Sequence, residues 1–363
     1  MADSWGSIAE ETLLAIQQNG ETSDVLEARL AFATVAQLRN QHIRPMLGRT
    51  RVHPNMMTPQ ASGRMSVSGP PLGNFTADRK YGPHGIRDVV VPDPGTKWVV
   101  FDWEAIEARK IAHYDKDPVD NEAFRREYDI HTVTAIRMFR WPEPSFEPTK
   151  KNLFKSDAGL EWCEQIGHLL VKLDPTRVAD GKPVPYSDDD RFRRLAKNCR
   201  YCLQYAVDEK AMSRYAVEMR MKKEDLFRFG KLYLASKPQL VQWKRQTWAD
   251  VWRTHEARTW MGRRRRFSGT DKMSQLDVMK EGLNHIIQGG VADLMKLTLR
   301  QIMDEWPSAR LGWQAHDGAK IVFPSNVDPF PRISQIVERE IEIEGRAIHY
   351  PASFETITPH EEN

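Results

Sequence analysis

The sequence predicts an α+β fold in which a small antiparallel sheet and a longer set of helices come from different parts of the chain. Two apolar runs, residues 98–101 and 311–323, have the length and composition of buried strands. Asp317-Gly318 interrupts the second run, and an Asp-Gly pair between strand-like segments is typical of a tight hairpin. Between the two runs, residues 191–260 are rich in Lys, Arg and Trp and predict a long helical region.

The chain begins with two predicted amphipathic helices, residues 7–17 and 24–41. Gly20 ends the first helix, and Asp24 lies at the start of the second. An approximate apolar stripe along the second helix indicates that it packs against other parts of the protein.

The next elements alternate between strand and helix. Residues 89–91 and 98–101 predict two buried strands, and the second strand delivers Asp102 at its C-terminal end. Residues 104–115 predict a helix, and Asp129 is the expected N-cap of the helix that follows.

Residues 141–190 differ in composition from the rest of the chain. They contain six prolines around one predicted amphipathic helix near residues 157–173. This pattern predicts an insertion or a peripheral subdomain.

The overall composition is that of an ordinary globular protein. Of the 363 residues, 40% are hydrophobic and 28% are charged, and the net charge of +3 permits nucleic-acid binding without demonstrating it. Three cysteines are too few for a disulfide framework and favour a reducing compartment. Because we find neither a signal-peptide pattern nor a membrane-spanning run, we expect a soluble protein without membrane partners. Its expected location is the cytoplasm, that of a host cell if the protein is viral.

Two aspartates are candidate metal ligands. Asp102 and Asp317 each emerge from a predicted strand, and they converge if those strands pair in one sheet. Two such carboxylates can bridge metal ions about 4 Å apart, the arrangement used in phosphoryl transfer. A lone aspartate at a strand end usually has no catalytic role, so the pairing of the strands decides this prediction.

A helix face in the middle of the chain carries cations followed by aromatic rings. Arg193, Lys197, Tyr201 and Tyr205 are four residues apart and drift about 40° per step, so they share one face about 18 Å long. Such a face can bind a triphosphate at its cationic end and a sugar and base at its aromatic end. The alternative is a helix with a solvated basic edge and a buried aromatic edge.

These motifs resemble those of family A DNA polymerases, the group typified by bacterial DNA polymerase I and phage replicases. Residues 102–109 keep the Asp, Ile, Glu and Arg of the family motif Asp-Tyr-Ser-Gln-Ile-Glu-Leu-Arg. The other similar segments occur in the family's order: Ser62-Gly63-Arg64-Met65-Ser66, Leu72-Gly73-Asn74, Asp129-Ile130-His131-Thr132, the Arg193–Tyr205 helix, Gly262-Arg263-Arg264-Arg265, Asn284 with Gln288-Gly289 and Ala292-Asp293, and His316-Asp317.

The resemblance implies a right-hand polymerase with an antiparallel β palm, helical fingers and a reduced thumb. Residues 1–50 would be a helical thumb remnant and residues 51–115 the first part of the palm. Residues 116–275 would form the fingers, including the insertion at 141–190, and residues 276–363 the second part of the palm. Nothing before Arg51 resembles a 3′–5′ exonuclease, so we expect no proofreading by this chain.

The resemblance also implies a role for each matching residue. Asp102 and Asp317 would be catalytic and hold two Mg²⁺ ions. The residues that would bind the incoming dNTP are Arg193, Lys197, Tyr201, Tyr205, His131 and Glu107, with Glu107 as the gate that excludes a 2′-hydroxyl. The residues that would contact DNA are Arg64, Lys280, Asn284, Gln288 and His316. The implied partners are primer–template DNA, dNTPs and a protein that supplies processivity, a thumb or an exonuclease.

Several positions depart from the family pattern. Gly318 replaces the glutamate that follows His-Asp, and Arg200 replaces an asparagine, which would add charge near the nucleotide. The expected function is therefore a DNA-templated DNA polymerase using two metal ions, with two alternatives left open. One is a weak or inactive polymerase-like DNA-binding subunit, which Gly318 favours. The other is a single-subunit RNA polymerase, against which Glu107 argues.

Overall fold

The fold is known from a computed structural model that describes most of the 363 residues. The described residues are 28–29, 32, 35–36, 38–57, 62–74, 90–206, 209–214, 222–267, 274–315 and 317–359. The first predicted helix, residues 7–17, lies outside them. Of the second, residues 24–41, only part is described, and Leu38–Ile43 forms a π-helical turn.

Twelve strands occur in the described part of the chain. They are β1 (Asn55–Met57), β2 (Ser66–Ser68), β3 (Thr96–Trp103), β4 (Val178–Ala179), β5 (Lys182–Pro183), β6 (Glu256–Arg258), β7 (Arg264–Arg266), β8 (Arg310–Ala315), β9 (Gly318–Pro324), β10 (Ile341–Ile343), β11 (Arg346–Ile348) and β12 (Ala352–Ile357). Eight of them form two-stranded antiparallel hairpins, β1–β2, β4–β5, β6–β7 and β10–β11.

The other four strands form one antiparallel sheet in the order β12-β3-β9-β8. Side chains alternate across it, because successive residues of a strand point to opposite faces. Val99 and Phe101 of β3 are fully buried, while Trp98 packs against Trp313 of β8 in an edge-to-face contact. The prediction of strands at 98–101 and around Asp317-Gly318 is confirmed.

Eleven α-helices occur in the described residues. They are α1 (Ile106–Asp115), α2 (Pro118–Arg125), α3 (Ile130–Phe139), α4 (Lys150–Lys155), α5 (Asp157–Leu173), α6 (Arg191–Tyr205), α7 (Lys223–Ala235), α8 (Pro238–Thr254), α9 (Gln275–Asn284), α10 (Gly290–Glu305) and α11 (Arg332–Val337). A π-helical segment, His285–Gly289, joins α9 to α10. Within the described residues, no helix combines the length and the apolar character that crossing a bilayer requires.

The chain divides into two compact units. The first contains residues 1–107 and 254–363, and the second contains residues 108–253. The four-stranded sheet belongs to the first unit, and helices α2 to α7 belong to the second. Residues 254–275, which the sequence assigned to the fingers, belong to the same unit as the sheet.

Residues 141–190, predicted as an insertion or a peripheral subdomain, contribute to the core of the second unit. Trp141, Trp162 and Tyr186 are buried in the same hydrophobic core as Phe192 of α6 and Phe229 of α7. The segment contains α4, the predicted helix as α5, and the β4–β5 hairpin. Its apolar residues therefore complete the core of the second unit.

The predicted strand at residues 89–91 is wrong for the two residues that are described. Val90 and Val91 are not in a strand, and Val91 is 38% exposed. Val90 packs against the cluster of Leu72, Trp98 and Trp313, so burial of one side chain explains its apolar character without strand pairing. A proline follows at position 92 and cannot donate a ladder hydrogen bond.

Candidate active site

The four-stranded sheet brings the two candidate metal ligands to the same end of neighbouring strands. Asp102 is opposite Gly318 in the β3–β9 pairing. The backbone N–H of Trp103 donates to the carbonyl oxygen of Asp317 at 3.0 Å. The hairpin predicted from Asp317-Gly318 forms, and it places Asp317 beside the end of β3, where Asp102 is exposed.

A third carboxylate lies close to this pair. Glu107 is in the first turn of α1, and its buried side chain accepts a hydrogen bond from Arg64. Arg64 also lies 3.4 Å from Asp317, and the side-chain amide of Gln288 is 3.5 Å from Glu107. Burial, together with the charges of Glu107 and Asp102, raises the pKa of Asp317 to about 7, although Arg64 opposes the shift. Asp102, Glu107 and Asp317 therefore form an acidic cluster whose mutual repulsion contributes to the raised pKa of Asp317.

This cluster is suited to Mg²⁺. The ion is usually held in proteins by one or two carboxylates, with substrate phosphates and water completing its octahedral shell. Among the described residues, no three His, Cys, Asp or Glu side chains converge closely enough to hold a metal ion by themselves. A metal ion at this place would therefore need ligands from a substrate or water besides these carboxylates.

Gly318 fits the space available between β3 and β9. A Cβ atom at this position would lie 2.4 Å from the carbonyl oxygen of Phe101 and 2.7 Å from a carboxylate oxygen of Asp102. Real Cβ contacts are not this short, so the local backbone accepts only glycine. The glutamate of the family pattern would not fit at this position without a shift of the backbone.

In the second unit, α6 carries the predicted cationic and aromatic face. The helix begins after Asp190, whose side chain accepts a hydrogen bond from the N–H of Phe192. Lys197 is exposed, and Tyr201 and Tyr205 are half-buried. These three residues therefore lie along the accessible side of the helix.

Arg193, by contrast, is buried and bound to a carboxylate. Its guanidinium donates two hydrogen bonds to Asp129, at 2.6 and 2.8 Å. Asp129 caps α3 as predicted and accepts hydrogen bonds from Thr132. The sequence predicted that Asp129 caps α3 but not that Asp129 pairs with Arg193. The only sequence signal for this pairing is that both residues lie in family motifs.

His131 lies next to this pair, in the first turn of α3. Burial, with the positive charges of Arg193 and Lys197 added to it, lowers the pKa of His131 to about 3, although Asp129 opposes the shift. The imidazole is therefore neutral at physiological pH and can donate a hydrogen bond to a substrate from only one nitrogen at a time.

Arg200 does not add charge to the accessible face of α6, contrary to the expectation from the sequence. Its side chain is fully buried and donates to Asp120 at 2.6 Å and to Thr134 at 3.0 Å. Lys237, also fully buried, contacts Asp120 and lies 3.2 Å from Asp115. We call this network the buried ion cluster; its residues are Asp115, Asp117, Asp120, Arg137, Arg200 and Lys237.

The C-terminal end of α6 is held by another buried lysine. The ammonium group of Lys244, in α8, donates to the carbonyl oxygens of Leu203 and Ala206, where the helix ends. These carbonyls lack partners within the helix, so a donor here satisfies them. Burial lowers the pKa of Lys244 to about 8.

The residues predicted to contact DNA are distributed over several parts of the first unit. Arg64 and Gln288 both contact Glu107, as described above. Lys280 is exposed on α9, and Asn284 is the last residue of that helix. His316 lies outside the described residues.

Comparison with known proteins agrees with this arrangement. The sequence model of DNA polymerase family A matches residues 3–156 and 181–356. The chain is 27% identical over 301 residues to DNA polymerase I B, mitochondrial, from Oryza sativa subsp. japonica, which covers 80% of this chain and 26% of that protein. It is 25% identical over 337 residues to the thermostable DNA polymerase I of Thermus thermophilus, covering 89% of this chain and 34% of that protein.

The fold also matches a solved structure, the POL domain of Pol1 from M. smegmatis in complex with DNA primer-template and dNTP. The TM-score is 0.69 at 19% identity, and the match covers 97% of this chain and 55% of the other. The likeness shows an α+β polymerase fold. Enzymes of the matching family generally use divalent metal ions. Although this chain spans only about a quarter to a third of the length of the two curated relatives, the family model covers most of it, and the chain therefore belongs to DNA polymerase family A.

Proposed function

We propose that this chain is a DNA-templated DNA polymerase that extends a primer with deoxynucleotides. In the reaction, the primer 3′-oxygen bonds to the α-phosphorus of a dNTP, the bond to the leaving pyrophosphate breaks, and the hydroxyl proton passes to solvent. The observation that carries the proposal is the acidic cluster where β3 ends and β9 begins, with Asp102 on β3 and Asp317 in the turn directly before its pairing partner Gly318. On this proposal the first unit contains the palm and the thumb remnant, and the second contains the fingers.

Asp102 and Asp317 would hold two Mg²⁺ ions. When bound, such ions favour ionisation of the attacking hydroxyl and stabilise the charge on the leaving group. Glu107 would act as the sugar gate, because its side chain is buried and is held by Arg64 and Gln288. A fixed side chain excludes an extra hydroxyl group better than a mobile one.

Side chains of α6 would bind the nucleotide. Lys197 is the exposed cation of that helix face and is suited to a phosphate, while Tyr201 and Tyr205 offer rings for the sugar and the base. Arg193 would reach a phosphate only by exchanging its bond to Asp129, and neutral His131 would contribute a single hydrogen bond.

The DNA contacts would come from Arg64, Lys280, Asn284, Gln288 and His316. Hydrogen-bond donors that face the minor groove find similar acceptors on every correct base pair. Such contacts support correctly paired primer ends without reading their sequence. Of these residues, Arg64 and Gln288 both contact Glu107.

The test is extension of a labelled primer on a DNA template with Mg²⁺ and dNTPs. We expect extension by the wild type and a loss of at least about a thousandfold in Asp102→Ala and Asp317→Ala, because each change removes a proposed metal ligand. Asp304→Ala is the matched control, since Asp304 is an exposed carboxylate of α10 in the same unit. Full activity of Asp102→Ala would refute the assignment.

Two further arms separate the alternatives. Incorporation of rNTPs in preference to dNTPs would indicate an RNA polymerase. Binding of primer–template without any Mg²⁺-dependent extension would indicate a non-catalytic subunit, the reading that Gly318 favours. Adding candidate partner proteins to the same reaction tests whether one of them supplies processivity or proofreading.

A further inference from the structure

The guanidinium of Arg263 joins three separate segments of the first unit. Its Nε donates to Asp293 of α10 at 2.6 Å. One of its terminal nitrogens donates to the carbonyl oxygens of Ser62 and Gly289, at 2.8 and 2.9 Å. Arg263 itself lies just before β7, after a turn in which Gly262 has a φ of +84°. A single side chain thus connects a loop, a hairpin and the junction between the π-helical segment and α10.

Two glycines make room for this guanidinium. A Cβ atom at Gly63 or at Gly289 would lie 2.8 Å from its atoms. Gly63 also has a φ of +80°, which side-chain-bearing residues rarely adopt. The planar group therefore fits closely against both backbones, and a lysine could not reproduce its fixed fork of donors.

The two segments whose carbonyl groups accept hydrogen bonds from Arg263 also carry the two side chains that contact Glu107. Ser62 lies two residues before Arg64, and Gly289 follows Gln288 directly. Arg64 and Gln288 approach Glu107 from these two segments. Because both backbones accept hydrogen bonds from one guanidinium, the distance between the two segments is fixed by Arg263.

We propose that Arg263 is a positioning residue that holds Arg64 and Gln288 against the minor-groove edge of the terminal primer base pair. This inference rests on the proposed polymerase function. Arg263 does not touch the DNA in this role. It keeps two donors at a fixed spacing, so that both can reach the acceptors of a correct terminal pair.

The experiment compares two primers in single-turnover extension by the full chain. One primer ends in guanine, and the other ends in 3-deazaguanine, which lacks the N3 acceptor in the minor groove. We expect the wild type to extend the deaza primer about tenfold more slowly, the effect of losing one hydrogen bond to a charged group. Arg263→Lys should extend the normal primer about tenfold more slowly, with an unchanged apparent Kd for the dNTP and less than a threefold further loss on the deaza primer.

The control is Arg300→Lys, which makes the same substitution at an exposed ion pair on α10 and should behave as the wild type. Asp293→Asn weakens only the hydrogen bond from Nε of Arg263. It should slow extension of the normal primer less than Arg263→Lys does, again with little further loss on the deaza primer. This variant replaces Arg263→Lys in the experiment if Arg263→Lys does not fold. Full sensitivity of both variants to the missing N3 atom would overturn the proposal, as would a wild type that extends both primers equally. A wild type that extends neither primer would instead refute the polymerase function.

Discussion

Replacing Arg200 by methionine tests how strongly the second unit depends on the charge balance of the buried ion cluster. The change removes hydrogen bonds to Asp120 and Thr134 at a place that water does not reach. Removing one partner of a buried ion pair destabilises a protein by about 3–5 kcal/mol. Because Asp120 retains Lys237, we expect a decrease in the free energy of unfolding near the lower limit, about 3 kcal/mol. The measurement is equilibrium urea unfolding followed by tryptophan fluorescence and circular dichroism.

Two variants make this result interpretable. Arg194→Met changes an exposed arginine of the same helix and should alter stability by less than about 0.5 kcal/mol. Asp120→Asn combined with Arg200→Met should be more stable than the sum of the single effects predicts, by about 1 kcal/mol or more, because the two side chains interact directly. Equal stability of the Arg194 and Arg200 variants, or strict additivity in the double variant, would contradict the reasoning.

Three other predictions concern the site and its support. The pKa of Asp317 is about 7, and Mg²⁺ binds the ionised carboxylate. The apparent Mg²⁺ affinity in primer extension should therefore fall up to about tenfold per pH unit below pH 7 and become constant above it. A constant affinity from pH 6 to 8 would contradict the role of Asp317 as a metal ligand. Glu107→Ala should raise ribonucleotide incorporation relative to deoxynucleotides by about tenfold, and Glu107→Gln, which keeps the side-chain volume, should not; competition assays with both nucleotides give the ratio. Between pH 8 and 10.5, Lys244 is deprotonated in the folded state and still protonated in the unfolded state. The free energy of unfolding of the wild type, measured in urea, should therefore rise by about 2 kcal/mol from pH 8 to 10 relative to that of Lys244→Met. Parallel pH profiles of the two proteins would exclude this effect.

Local patterns were sufficient for the parts of the fold that local physics determines. The Asp317-Gly318 pair between two apolar runs predicted the β8–β9 hairpin, and Asp129 before an apolar run predicted the cap of α3. In both cases the residues that fix the geometry are adjacent in sequence. The pairing of β3 with β9 was stated as a condition, and the sheet fulfils it.

Properties that depend on distant residues could not be read in the same way. An apolar triplet at 89–91 is typical of a strand, but Val90 packs against a cluster of Leu72, Trp98 and Trp313, which come from three different elements. The sequence analysis expected Arg200 to add charge near the nucleotide, but its buried side chain binds Asp120, an aspartate 80 residues away. The sequence gives no periodic signal for such contacts, because each partner lies on a different element. For the same reason, the contacts of Arg263 with Ser62, Gly289 and Asp293 could not be predicted from the short glycine–arginine motif.

The close approach of β3 and β9 at Gly318 limits how this hairpin can evolve. Replacing glycine by the glutamate of the family pattern would drive the new side chain into the carbonyl of Phe101 and the carboxylate of Asp102. An acid at this position therefore requires β3 and β9 to move apart locally. Attempts to increase the negative charge of the cluster by mutation have better prospects at a neighbouring position than in the hairpin itself.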